Sequence, residues 1–403
     1  MEALSNYEGC PEDRIRGAVQ KALVGLVDLA IERQVAFVLL AGDLFDRKPR
    51  DIQPGLFFNT QMRRLKEKGI RVFAIAGNHD AESSTWRNIP RAEVEYLPDD
   101  KAGTLTLEAN GIPVAIHGQS YPKASVKTNL ASKYPAAELG HFNIGLLHTS
   151  LDNPESAHKT YAPCKLSELV AKDYDYWALG HIHIPQVLQE TPHILYPGNL
   201  QGRSVRETGP RGCYLVQVDA NRKVTSCEPQ ELDHVRWFEK ETAIGGLETL
   251  QDVREQISRT FQETNEEAGQ RLAILRLHLT GETELSPALH RDIEDLRTDF
   301  LDLANEAGVW LEKIKIRTTS TQAPETTSAP NLPDNFLLDL QVSAPPMPDD
   351  FFEWEAISKL LSKIPRDIKT PIKTELAAAL PETTSSAKAE LQGHLLGNGR
   401  QNP

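Results

Sequence analysis

The sequence predicts an α/β fold, a two-sheet sandwich with helices outside and a small α+β domain after it. Three observations predict it. Four apolar runs, VAFVLLA (35–41), VFAIA (72–76), NIGLL (143–147) and YWAL (176–179), read as strands buried on both faces. An amphipathic helical segment separates the first two, which makes a βαβ unit and favours a parallel pair. Short strands then dominate from about residue 103 to 220, and helix and strand alternate from about 240 to 318.

In chain order, residues 13–33 place Ile15, Val19, Leu23, Leu26, Val27 and Ala30 at helical spacing, so an amphipathic helix opens the chain. Strand VAFVLLA follows, then a helix around GLFFNTQMRRLKEKG that ends on Gly69, then strand VFAIA. TLTLEA and IPVAIHG flank Asn110-Gly111, a hairpin turn signal. FNIGLLH, YDYWALGH, HILYPG and GCYLVQVD are the next strands. The small domain reads as helix (247–261), strand (271–281), helix (286–308) and strand (310–319). Residues 319–350 are rich in Thr, Ser and Pro and read as a linker. Beyond it, Asp349 and Asp350 can cap a helix whose apolar members include Phe351, Phe352, Trp354, Ile357 and Leu361. The expected domains are therefore 1–235, 236–318, the linker 319–350, a helical segment 351–380 and a disordered tail 381–403.

Composition excludes some classes. The 44 Lys+Arg against 57 Asp+Glu give a formal charge of −13, so bulk attraction does not draw this chain to nucleic acid. A local basic groove or bound cations can still do so. The four cysteines, Cys10, Cys164, Cys213 and Cys227, form no Cys-x-x-Cys pair, which argues against a zinc ribbon or a disulfide framework and for a reducing cytoplasm. No apolar run reaches the length of a membrane span, and the first residues lack the pattern of a signal peptide.

Four short blocks carry the chemistry: GDLFD (42–46), GNHD (77–80), His148 of GLLHTS and GHIH (180–183). Each follows one of the apolar strands, so each delivers its Asp, Asn or His to one sheet edge, as metal sites on α/β sheets are built. Two divalent metals about 3.5–4 Å apart need a shared carboxylate, and Asp43 is the natural bridge. Asn78 offers an amide oxygen, and His148, His181 and His183 offer imidazoles. In extended chain, residues two apart point the same way, so His181 and His183 can both face the metals. Such mixed ligation suits manganese, iron or zinc better than calcium or magnesium. His79 is placed to stabilise or protonate a phosphoryl oxygen, and Asp46 and Asp80 to orient imidazoles. A single GD-x-x-D is often only a helix cap, so the set of four blocks in order carries the argument. The remaining histidines, His117, His141, His158, His193, His234 and His290, lack that context, and Trp177 reads as core.

GDLFD, GNHD, the strand-borne His148, GHIH and the following YPGNLQGRS (196–204) resemble the calcineurin-like metallophosphoesterase superfamily. They are most similar to its DNA-repair exonuclease branch, the bacterial SbcD and YhaO-like nucleases. The resemblance implies a four-layer sandwich with two central β-sheets flanked by helices, followed by a capping domain. It implies two divalent metal ions, manganese foremost, with Asp43 bridging them. Asn78, His148 and His181 would complete one metal, His183 would serve the other, and His79 would be catalytic. Asn199 and Arg203 would touch substrate phosphates. The implied activity is phosphodiester hydrolysis of DNA, with a small-molecule phosphoesterase or a non-catalytic scaffold subunit as alternatives. The implied partners are DNA, an SbcC-like coiled-coil ATPase held by the C-terminal region, and a second copy in a homodimer.

The family pattern opens with a strand ending in Asp-x-His, and this sequence has none ahead of Asp43. The expectation is that Met1 is an internal methionine of a longer chain. The alternative is a shortened protein with one metal site or none. The missing strand lies in the middle of the family's sheet, so its loss would expose neighbouring strand edges.

Overall fold

The computed structural model describes residues 12–15, 17–45, 52–83, 93–151 and 161–321. The linker from 322 onward, the helical segment 351–380 and the tail lie outside the described residues, as does Asp46. The chain divides into two compact units, Met1–Trp237 and Phe238–Pro403.

In the first unit a single helical turn, Glu12–Ile15, precedes helix α1, Ala18–Glu32. The sequence reads as one helix over 13–33, but Gly17 takes a left-handed φ of 77° and separates the two pieces. Strand β1 (Phe37–Leu40), helix α2 (Gln53–Glu67) and strand β2 (Arg71–Ala74) form the expected βαβ unit, with β1 and β2 parallel in register Phe37↔Arg71. Strand β3 (Glu95–Tyr96) pairs with β2 and completes a three-stranded sheet. On its outer face α1 and α2 bury Val27, Ala30, Phe58, Met62 and Leu65 against Val72, Ala74 and Ala76.

The second sheet holds β4 (Gly103–Ala109), β5 (Ile112–Gly118), β6 (Phe142–His148), β7 (Tyr176–Gly180), β8 (Gln186–Glu190) and β9 (His193–Tyr196) in the order β4-β5-β6-β7-β9-β8. The β4–β5 hairpin turns on Asn110 and Gly111, both at positive φ (50° and 81°), as a two-residue primed turn requires. Phe73 and Ile75 pack against Ile116, Ile144, Leu146 and Ala178, so the two sheets share an apolar interior. Strands β10 (Gly212–Val218) and β11 (Val224–Glu231) form an antiparallel ribbon whose Tyr214 and Val216 also pack on that interior. On the far face of the second sheet Trp177 is fully buried against Tyr134 and Tyr174. The result is a mixed α/β fold with sheets flanked by helices.

Among the described strands, β1 pairs only with β2, and β10 only with β11. Both lie along an apolar cavity of about 1060 Å³, which is lined by Phe37 and Leu39 of β1, Tyr214 and Val216 of β10, and Ile144 and Tyr176 of the facing sheet. All four residues of β1 are half-buried, whereas Val72, Phe73 and Ala74 of β2 are buried. Among the described strands, β1 and β10 thus each keep one unpaired edge.

The second unit builds its own core. Strand β12 (Val235–Ala243), which runs into it from the first unit, joins β13 (Leu272–Glu282) and β14 (Val309–Thr319) in the order β12-β13-β14. Helices α3 (Leu250–Ala268) and α4 (Ile293–Glu306) cover the sheet, with Ile257, Phe261 and Phe300 buried against Leu275, Leu277 and Leu311. Three details differ from the sequence reading. The helix read over 247–261 runs from Leu250 to Ala268. The helix read over 286–308 breaks at Asp292, whose φ and ψ of −102° and 21° are not helical. Strand β12 was hidden in VRWFEKETA, where charged residues mask a buried Val235, Trp237 and Thr242.

Candidate metal centre

The four blocks stand where four strands end, but at the ends of two sheets rather than one. Asp43 and Asn78 follow β1 and β2 of the three-stranded sheet, while His148 ends β6 and His181 follows β7 of the six-stranded sheet. The sequence reading of a single sheet edge is thereby corrected, because the apolar runs do not say which strands pair. The glycines of GN and GH let the two ends close. A Cβ on Gly180 would fall on the Ala41 carbonyl oxygen, and one on Gly77 would fall on the Asp43 carboxylate. Asp43 and His181 themselves hold positive φ, 57° and 100°, a strained arrangement typical of functional sites.

The ligand atoms of Asp43, His148 and His181 all lie within 4.8 Å of one another. His148 Nδ1 is 2.8 Å from the Ala41 carbonyl oxygen. A carbonyl only accepts, so Nδ1 carries a hydrogen, and the neutral ring turns the Nε2 lone pair inward. Nε2 lies 2.9 Å from Asn78 Oδ1 and 3.4 Å from Asp43 Oδ2, and Asn78 Oδ1 lies 3.2 Å from His181 Nδ1. Acceptor atoms of a carboxylate, an amide and imidazoles thus converge in a buried place, where only a proton or a cation can hold them together. Burial would lower the His148 pKa, but the hydrogen bond and charge of Asp43 outweigh it and raise it. Burial likewise works against ionised Asp43, yet His148 and the His79 amide hold its carboxyl far below the usual range. His181 is pushed down to about 4, first by burial and then by His148, so it is neutral and free to ligate at pH 7. This donor set fits a divalent transition metal.

The other named residues fall nearby in different roles. His79 is half-buried, lines the cavity and donates its backbone N–H to Asp43 Oδ1 at 2.9 Å. Asp80 is fully buried, and burial lifts its pKa to about 6. Its oxygens accept the N–H groups of Phe45 (2.9 Å) and Gly77 (3.0 Å) rather than an imidazole, so it ties the GD turn to the GN turn. His183 is not among the three residues whose ligand atoms converge. Its Nδ1 lies 2.7 Å from Glu207 Oε1. The amide nitrogen of Asn199 donates to Glu207 Oε2 (2.8 Å), as does the backbone N–H of Arg203 (2.7 Å). The two expected phosphate contacts are thus drawn onto one carboxylate. Glu207, which the sequence reading did not single out, is where these three residues meet. Its only signal was an acid four residues past Arg203 in a Gly-rich loop.

Comparison with known proteins agrees with this geometry. Residues 18–185 match the family model described as calcineurin-like phosphoesterase, and residues 237–319 match that of the metallophosphoesterase YhaO middle domain. The chain is 36% identical over 254 residues to a Bacillus subtilis protein described as the uncharacterized metallophosphoesterase YhaO, covering 62% of this chain and 61% of that one. It is 25% identical over 233 residues to the DNA double-strand break repair protein Mre11 of Methanopyrus kandleri, covering 50% and 49%. It is 29% identical over 174 residues to Mre11 of Sulfurisphaera tokodaii, covering 41% and 42%. The matched region spans less than two thirds of the length of each of these relatives.

Proposed function

We propose that this chain, whose residues 18–185 match the calcineurin-like phosphoesterase model and 237–319 that of the YhaO middle domain, is a metal-dependent phosphodiesterase acting on DNA, an exonuclease of DNA repair. The convergence of Asp43, Asn78, His148 and His181 on one buried point carries this reading. Two divalent cations, manganese foremost, would supply a Lewis acid that activates water and neutralises the phosphoryl oxygens. Asp43, Asn78, His148 and His181 would hold one cation, and Asp43 with His183 would reach toward the other.

The chain's own residues do the rest. The turn that carries Asn78 also fixes His79, whose amide is bound to Asp43. His79, half-buried and lining the cavity, would assist the leaving 3′ or 5′ oxygen by hydrogen bonding or proton transfer. Hydrolysis of single- and double-stranded DNA with manganese tests the reading. His79→Ala should keep its metal by elemental analysis yet lose about 10²–10⁴-fold in turnover. Hydrolysis indifferent to His79, or no metal taken up, would count against it.

The partner reading rests on the sequence pattern of 351–364. An amphipathic helix on a linker suits a hydrophobic groove on a coiled-coil ATPase of the SbcC type. In a pull-down, a chain ending at residue 330 should lose that partner. Retention by the shortened chain would sink the idea.

A further inference from the structure

We infer that Glu207 is the positioning residue of this centre: its carboxylate sets the tautomer of His183, leaving Nε2 as the metal-facing nitrogen, and fastens the 199–203 loop to the same point. The inference rests on the metal-centre reading given above and assigns a role to a residue outside the four motifs.

Three sets of contacts carry it. Glu207 is 8% exposed, and its two oxygens divide the work. Oε1 lies 2.7 Å from His183 Nδ1, while Oε2 accepts from Asn199 Nδ2 at 2.8 Å and from the Arg203 backbone N–H at 2.7 Å. The Arg211 guanidinium, itself buried, donates to the His183 carbonyl at 3.1 Å and to the Thr208 carbonyl, and the Asn199 N–H also donates to the His183 carbonyl at 3.1 Å. The backbone of His183 is thus held from the same loop that holds its ring. Little freedom remains to the imidazole.

The tautomer follows from donor and acceptor chemistry. Arg203 Nη2 lies 3.2 Å from the same His183 Nδ1, and two partners compete for one nitrogen. An Arg N–H would need a lone pair on Nδ1, whereas a carboxylate has only lone pairs and needs a hydrogen there. The carboxylate contact is the shorter by half an ångström, and charge-assisted bonds of that length are the strong ones. Nδ1 therefore carries the hydrogen. Arg203 Nη2 instead faces Glu207 Oε1 across 3.6 Å as an ion pair. A carboxylate behind a ligating histidine fixes its ring and raises its basicity, and losing such a partner typically costs 10–100-fold in metal affinity.

The test reads the metal-free full chain first, so its outcome does not depend on catalysis. In ¹⁵N-histidine-labelled protein at pH 8, long-range ¹H–¹⁵N spectra report each ring's tautomer, and His183→Gln identifies the His183 signals. Wild type should show His183 protonated at Nδ1. Glu207→Gln should keep that tautomer, because its amide oxygen still accepts, and Glu207→Ala should shift to Nε2–H. Manganese binding by calorimetry should weaken about 10–100-fold in Glu207→Ala and less than tenfold in Glu207→Gln. Protonation of wild-type His183 at Nε2, or a folded Glu207→Ala with an unchanged tautomer, would overturn the inference. If Glu207→Ala does not fold, the wild-type and Glu207→Gln spectra decide it. A confirmed tautomer with no metal uptake in wild type would leave the positioning role standing and remove the phosphodiesterase reading.

Discussion

Glu207 shows how much one side chain can govern without being a ligand. Its carboxylate is bound on both oxygens, and its pKa of about 2 lies below the ordinary 4.5 despite burial. A depressed folded pKa means that the folded state favours the charged form. The stabilisation is therefore complete above about pH 4.5 and is lost as pH falls toward 2. Over that window it amounts to roughly 3 kcal/mol. Urea unfolding between pH 2 and 6 should show this slope in wild type and a curve flatter by about that amount in Glu207→Gln. At this scale the four motifs were legible because Asp, Asn and His beside glycine after an apolar run are a rare combination. Glu207 was not, because its partner His183 lies 24 residues away in sequence.

Among the elements, β1 is the weak point of its sheet. It pairs on one side only among the described strands, and none of its residues is fully buried. By contrast β6 is flanked by β5 and β7, and all seven of its residues are buried. The amides of β1 that point away from β2 should exchange far faster than those of β6 in native-state hydrogen exchange. Equal protection would show that the β1 edge is covered in solution. The βαβ unit, the Asn110-Gly111 hairpin and the strand ends that bear the motifs were read correctly from periodicity and turn residues. The broken helix at Asp292 and strand β12 were not, since a single non-helical residue and a charged strand leave no periodic signal.

For the whole molecule, the division into Met1–Trp237 and Phe238–Pro403 gives each unit a separate apolar core. The core of the second unit comes from residues 238–311, with Phe261, Leu277 and Phe300 fully buried. A fragment of residues 238–321 should therefore unfold cooperatively alone, followed by circular dichroism in urea. A fragment without a cooperative transition would mean that this core depends on the first unit. No described helix is long and apolar enough to cross a membrane.

The sequence by itself determined the resemblance to a family, the strand-borne motifs and the residues proposed as ligands, because residue type and local spacing are enough to specify strands, turns and the groups at their ends. Only the tertiary structure decided that two sheets share the site, that His148 turns Nε2 inward because Ala41 takes Nδ1, and that Asn199, Arg203 and His183 all meet on Glu207. Those facts depend on hydrogen bonds between residues far apart in the chain. Such bonds exist only after strand pairing and sheet packing have brought the partners within about 3 Å.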